Sequence, residues 1–256
     1  MTTAAEGAEQ FFQAEQTDPT QTLEEARAID QKLINAWVGH PCFNIIKNTK
    51  KGFKTKIDYC KQKLFAIIGM PQPQSITKKF LLALDHKNPE IKIDGIKVET
   101  FVIEESFLKT SVGDSNVLHK VGKNDSYTYS HEMRFTLKGE KIQKKRQITA
   151  REYIGLLEGR EHSKKHIQKV KQCFIYESKY FMVETFKNLE PYPSILRVET
   201  TQKNTSKKLP PFLHTIREVT GEKEYETWFM ADKDWKLPAD DLALIQEVLN
   251  NEEKKH

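Results

Sequence analysis

The chain has 256 residues, a formal net charge of +5, 38% hydrophobic and 30% charged residues, which suffices for one large domain or two small ones with a core. No apolar run approaches the roughly 18 residues of a membrane helix, and the N-terminus lacks the basic, apolar and small-residue succession of a secretory signal, so a cytoplasmic setting is expected. Three cysteines, Cys42, Cys60 and Cys173, are an odd number without metal-ligand spacing and read as reduced and packed.

In chain order, Thr22-Leu-Glu-Glu25 is a capping-box sequence, and Leu23, Ala26, Ile29, Leu33 and Trp37 follow at helical spacing. Gly39, His40 and Pro41 stop that helix. Phe43 to Ile46 is a short apolar run of strand type, and Phe53, Ile57, Cys60, Leu64 and Ile67 or Ile68 mark a second helix, closed by Gly69, Pro71 and Pro73. Helix, strand and helix over 1–70 are too few for an independent domain, so their apolar stripes must meet the rest of the chain, another copy or a partner. Seven lysines (47, 50, 51, 54, 56, 61 and 63) face Asp58 alone here, and Lys138 to Arg146 is similarly basic. Such runs meet phosphate on lipid, nucleotide or nucleic acid, or are simply solvated.

From Ile76 the texture becomes that of strands: 76–84, 98–108, 127–137, 169–176, 180–186 and 195–201. Turn signals at Asp94-Gly95, Gly122 to Asp125, Lys138-Gly139 and Pro191 to Pro193 separate them. Thr149-Ala-Arg-Glu152 is a second capping box, opening a helix through Tyr153, Leu156 and Leu157. The tail from Leu209 to Leu249 reads as helical. Six or more strands of this length predict an antiparallel sheet that closes or nearly closes, since closure removes exposed edges. The expected class is α+β: an antiparallel β-barrel with flanking helices and an N-terminal helix-strand-helix segment.

The strand around Ser126 to Leu137 carries the clearest functional signal. Tyr127, Tyr129, His131, Met133 and Phe135 fall on one side, and Thr128, Ser130, Glu132, Arg134 and Thr136 on the other, the period-two signature of a barrel wall with a hydrophilic bore. If the polar side faces inward, it lines a site. His131, on the aromatic side, reads as a packed histidine; His162 and His166 read as a solvated loop, without acidic or thiol partners for a metal. No serine-nucleophile elbow is present.

Several of these motifs together resemble a known family. They are Ser126-Tyr-Thr-Tyr-Ser-His131, Arg146-Gln-Ile-Thr149 with Arg151-Glu-Tyr153, Cys173-Phe-Ile-Tyr176, Ile195-Leu196 with Val198-Glu199, and Leu209-Pro-Pro-Phe212 with Ile216 to Thr220. The run from Ser75 to Phe229 is similar to the CYTH-like, triphosphate-tunnel domain at the C-terminal end of TRPL-translocation-defect-like proteins. Ala4 to Glu9, Trp37-Val-Gly-His-Pro41 and Ile45 to Asn48 look like the last part of the P-loop domain preceding it. The resemblance implies a division into 1–70, a P-loop-type remnant, and 71–256, the tunnel domain with C-terminal helices. No Gly-x-x-x-x-Gly-Lys-Ser/Thr occurs, so nucleotide binding through a P-loop is not expected, and the chain reads as starting partway through that domain.

The resemblance also implies what the tunnel has lost. The family's Glu-x-Glu-x-Lys stretch stands here as Ser75-Ile-Thr-Lys-Lys79, without its metal-binding glutamates, and Val117-Leu-His-Lys-Val-Gly122 keeps Lys120 while His119 stands where the family has a cation. Lys145 and Arg197 replace further glutamates. The surviving acids are Glu104, Glu184 and Glu199, against an inward set of Lys79, Lys120, Arg134, Arg146, Lys171 and Arg197. Fewer acids weaken a metal site, and cations crowded in a low-dielectric bore call for an anion. Alternatively, the three acids pair with cations across strands and fill the bore.

The expectation drawn from this is a pseudoenzyme: a non-catalytic module with no cofactor and no metal, binding a phosphorylated small molecule, phosphoinositide or triphosphate. A scaffold subunit with a vestigial tunnel and a divalent-metal triphosphatase are the alternatives. Partners implied are a membrane surface or cytoskeletal setting met peripherally, and an assembly contacted through 1–70, with no sequence-specific nucleic acid.

Overall fold

A computed structural model describes residues 22–39, 43–46, 48, 52–67, 76–84, 91, 93, 95–111, 115–137, 139–177, 179–200 and 209–253. The chain separates into two compact units, 1–72 and 73–256.

In the first unit, α1 (Leu23–Trp37) begins at Thr22, whose Oγ1 accepts from Glu25 N at 3.2 Å while Glu25 Oε2 accepts from Thr22 N at 2.8 Å. This reciprocal box satisfies two of the donors a helix start leaves open. Its buried positions are Ala26, Asp30 and Ile34, a face rotated from the expected stripe: Ile29 and Leu33 are 43% and 46% exposed. The second helix, α2 (Phe53–Ile67), also runs as expected, with Phe53 and Leu64 exposed. Residues 43–46, expected as a strand, belong to no named strand. Cys42 lies outside the described residues, and Cys60 and Cys173 are free thiols.

The second unit is α+β, built on one nine-stranded antiparallel sheet. Its strands are β1 (Ile76–Leu82), β2 (Glu99–Phe107), β3 (Ser115–Lys123), β4 (Ser126–Leu137), β5 (Glu140–Ile148), β6 (Ile167–Tyr176), β7 (Lys179–Phe186), β8 (Ser194–Thr200) and β9 (Thr215–Glu218), in the order β5-β4-β3-β2-β6-β7-β8-β1-β9. β5 and β9 end that order, so the expected closure is not made by strand pairing among the described residues. β5 was missed in the sequence because seven of its nine residues are polar or charged, with only Ile142 and Ile148 apolar; such lysines guard the edge of a sheet. β3 and the four-residue β9 were also missed, the latter inside a tail expected to be helical throughout. That tail instead holds β9, a 3-10 turn (Lys223–Tyr225), the short α4 (Thr227–Met230) and α5 (Ala239–Glu253).

The β3–β4 hairpin turns through Asn124 and Asp125, both at positive φ, as a two-residue turn requires. Gly122 faces Tyr127 across the pair, and a Cβ there would lie 2.6 Å from the ring. Between β5 and β6, α3 (Ala150–Leu157) starts at Thr149, whose hydroxyl accepts from Glu152 N. The Glu152 carboxylate turns instead to Arg146, at 2.6 Å.

Directly paired residues share a face of a sheet, and the registers define two faces. One carries a packed group of Leu81, Phe107, Val117, Ile167, Phe186 and Ile195, closed over by Val219, Tyr225, Met230, Ala231 and Leu237. The other carries Phe80, Phe174, Phe181, Val183 and Leu196 under Ile91 and Leu213, and separately Leu118 and Ile148 under Tyr153 of α3. The closing segment is tied to β9 by Arg217, which donates to Asp241 at 2.7 and 2.8 Å and pairs with Glu222, while the Tyr225 hydroxyl donates to Asp241. Among the described residues no helix is long and apolar enough to cross a membrane.

Candidate functional site: a belt of alternating charge

Stepping two residues from each member of the first apolar group, along the same face, reaches Lys79, Glu105, His119, Lys169, Glu184 and Arg197. Lys79↔Arg197 and Glu105↔His119 are directly paired, while Glu184 is registered with Lys171 and Arg197 with Met182, so the series is staggered from strand to strand along one face. Glu132 of β4 joins from the side expected to face inward. From β4 round to β8 the signs alternate: Glu132, His119, Glu105, Lys169, Glu184 and Arg197, one residue per strand.

The contacts are continuous. His119 Nδ1 stands 3.2 Å from Glu105 Oε1 and its Nε2 3.4 Å from Glu132 Oε2. Lys169 Nζ reaches Glu105 Oε1 at 2.8 Å and Glu184 Oε2 at 3.2 Å, and Arg197 Nε lies 2.8 Å from the same Glu184 oxygen. Beside Arg197, Lys79 Nζ pairs with Glu226 Oε1 at 2.8 Å and donates to Tyr225 O at 3.4 Å, contacts with the segment that closes the apolar end. At the other end of the series Arg134 donates to Glu132 at 2.8 Å, with Gln143 at 3.0 Å. Lys169 is 2% exposed.

Burial in low dielectric opposes every one of these charges, and the neighbours decide the outcome. Burial pushes the Glu105 carboxyl up, but Lys169 and His119 outweigh it and hold it well below its ordinary value. For Glu184 the same burial is outweighed by Arg197 and Lys169, and for Glu132 by His119 and Arg134. His119 is the mirror case: burial lowers it, yet the two carboxylates raise it above an ordinary imidazole. Lys79 goes the other way, lowered by burial and by the adjacent Arg197 despite Glu226.

The sequence-derived set divides between the two faces. Lys79, Lys171, Glu184 and Arg197 share the belt's face, Lys171 one step further out, and Arg134 reaches the belt through Glu132. Lys120, Glu104 and Arg146 lie on the opposite face: Lys120 pairs with Glu104 at 3.1 Å, and Arg146 with Glu152. Their neighbours Glu105 and His119 take the interior, because a strand alternates faces residue by residue. The Glu199 side chain lies outside the described residues; its backbone is registered with Thr77. Sequence reasoning missed Glu105, Lys169 and Glu226, and left Glu132 out of the acids although its side of β4 was identified. Lys169 was legible from Lys171, two residues on.

In this arrangement three buried carboxylates, Glu105, Glu132 and Glu184, interleave with His119, Lys169 and Arg197. It also bears on a metal. The His119 ring stands between two carboxylates rather than beside them, and Glu105 and Glu184 already hold Lys169. Among the described residues no three His, Cys, Asp or Glu converge as a metal centre. The belt in this arrangement does not fit a divalent ion.

No family model and no curated protein matches the chain. Among solved structures it is similar to the inorganic triphosphatase NE1496, at 18% identity over 64% of this chain and 99% of that one, with a TM-score of 0.44. It is also similar to the PH1819 protein of Pyrococcus horikoshii OT3, at 10% identity over 51% and 80% with a TM-score of 0.38. A third is HpAC1 from Hippeastrum, described by a dominant triphosphatase activity, at 11% identity over 50% and 80% with a TM-score of 0.34. The likeness is one of fold. Two of these proteins are described by triphosphatase activity, and on that finding the expectation of a pseudoenzyme is corrected. The belt's face keeps three buried carboxylates, Glu105, Glu132 and Glu184, of which Glu184 was among the acids expected.

Proposed function

We propose that the second unit is a tunnel-type module that takes a linear triphosphate, or another small phosphorylated ligand of that class, against Lys79, Lys169 and Arg197. The observation that carries this reading is the belt: the buried Lys79 and Lys169 and the half-buried Arg197 stand on one face, each paired with a carboxylate. At Lys79 the displaced partner is Glu226, whose side chain is 40% exposed and can turn to solvent, so exchange there strands no carboxylate. Lys171, one step out, extends the same line of positive charge. The quoted motifs support placing the chain with the TRPL-translocation-defect-like tunnel domains, with 1–70 as the end of a P-loop-type domain. The exposed Ile29, Leu33, Phe53 and Leu64 support a docking role for that first unit.

The test is calorimetric titration of the full chain with tripolyphosphate at fixed ionic strength, with phosphate release followed in parallel with and without magnesium. Saturable binding that weakens at least tenfold in Lys79→Gln and Lys171→Glu supports the reading. Binding that is absent, or unchanged from the native chain in both variants, leaves the belt as a structural network. Phosphate release lost in Glu184→Gln identifies turnover at the belt.

A further inference from the structure

On the face opposite the belt, the structure contains a cavity of about 600 Å³ between β2, β3, α3 and the segment 160–166, a volume typical of small-molecule sites. Its polar lining is predominantly basic: Lys120, Arg160, Lys164 and Lys165, with His162 and His166, against the carboxylates of Glu104 and Glu161. The Glu161 carboxylate is engaged by Ser163, from N at 3.0 Å and from Oγ at 2.8 Å. Lys164 is fixed, donating to Trp228 O at 3.0 Å, pairing with Asp232, and standing 4.3 Å from the Trp228 ring centroid. Among the described contacts the Arg160 and Lys165 side chains make no ion pair.

The inner wall is ordered before any ligand arrives. Ser106, 6% exposed, shares a hydrogen bond of 2.8 Å with His166 Nδ1. His166 Nε2 lies 3.5 Å from Glu104 Oε2, and Glu104 Oε1 accepts from Lys120 at 3.1 Å. Lys120 is thereby held 4.6 Å from the Tyr127 ring centroid. Tyr153 and Leu157 of α3 add an apolar wall to the same cavity.

We propose that this cavity is a second ligand site, independent of the belt, for a small organic phosphate monoester with an aromatic or apolar body. The phosphate sits at Arg160 and Lys165, with Lys120 behind them, and the body lies against Tyr153 and Leu157. A phosphate dianion answers two cations that lack a carboxylate partner, and a guanidinium meets two of its oxygens at once. A free inorganic phosphate would leave the apolar wall unused, and a monocarboxylate would leave one cation unanswered.

Phenyl phosphate is the probe, titrated into the full chain at fixed ionic strength beside inorganic phosphate and benzoate, with tripolyphosphate present at saturation in a second series. The expected result is saturable binding of phenyl phosphate at least tenfold tighter than either fragment, unaffected by tripolyphosphate. It should be lost by at least tenfold in Arg160→Glu/Lys165→Glu and, separately, in Leu157→Trp, which fills the apolar wall. Both variants leave the belt residues in place, so tripolyphosphate binding should survive in them. Equal binding of phenyl and inorganic phosphate, binding unchanged in both variants, or competition with tripolyphosphate would each overturn the proposal.

Discussion

His119 of β3 and Glu105 of β2 are registered directly opposite each other, and their side chains meet at 3.2 Å in the sheet interior. Because the other imidazole nitrogen faces Glu132, one ring ties three adjacent strands, and its proton is part of the tie. The belt is therefore a titratable structure.

Stability should fall at both ends of the pH range, for opposite reasons. The folded-state values of Glu105, Glu132 and Glu184 lie below ordinary, so their contribution is present above the ordinary glutamate value of about 4.3 and is lost as pH falls through the folded ones. His119 is raised, so its contribution is complete below the ordinary histidine value of about 6.5 and is lost as pH rises through the folded one. Melting temperatures of the native chain and His119→Gln, measured from pH 5 to 9, should converge toward the alkaline end. A constant difference across that range would mean that folding leaves the proton affinity of His119 unchanged.

Lys169→Met should cost about 3–5 kcal/mol, because it strands Glu105 and Glu184 with one cation each in a buried layer. Adding Glu184→Gln should recover part of that loss. Urea unfolding of both variants measures it, and strictly additive losses would contradict a shared network.

Arg217→Ala should loosen the segment that closes the apolar end. It removes two of the three donors to the buried Asp241, leaving the Tyr225 hydroxyl, and one partner of Glu222, a loss of about 1–3 kcal/mol. Hydrogen exchange should quicken across 219–242 while β2 and β6 stay protected; uniform acceleration would argue against a local role.

Thr149→Ala should lower stability by about 1 kcal/mol through loss of the α3 cap. The Glu152–Arg146 pair is exposed, so Arg146→Gln should change the melting temperature little and leave tripolyphosphate binding unaltered.

Local chemistry made part of this protein readable. The Thr22 and Thr149 caps place the starts of α1 and α3 because a helix start depends on its own first turn. The polar and aromatic sides of β4 separate in sequence, and Glu132 of the polar side is the residue that stands in the belt. Other features were out of reach for an equally physical reason. In β2, β3 and β6 polar groups stand on both parities: Glu104 beside Glu105, Lys120 beside His119, Gln168 beside Lys169. Alternation says that such neighbours part, but not which goes inward. That choice belongs to the partner strands, which set register, and to the segment 219–242, whose apolar side chains cover one face at one end. The alternating belt consequently exists only after six strands, β2 to β4 and β6 to β8, are aligned.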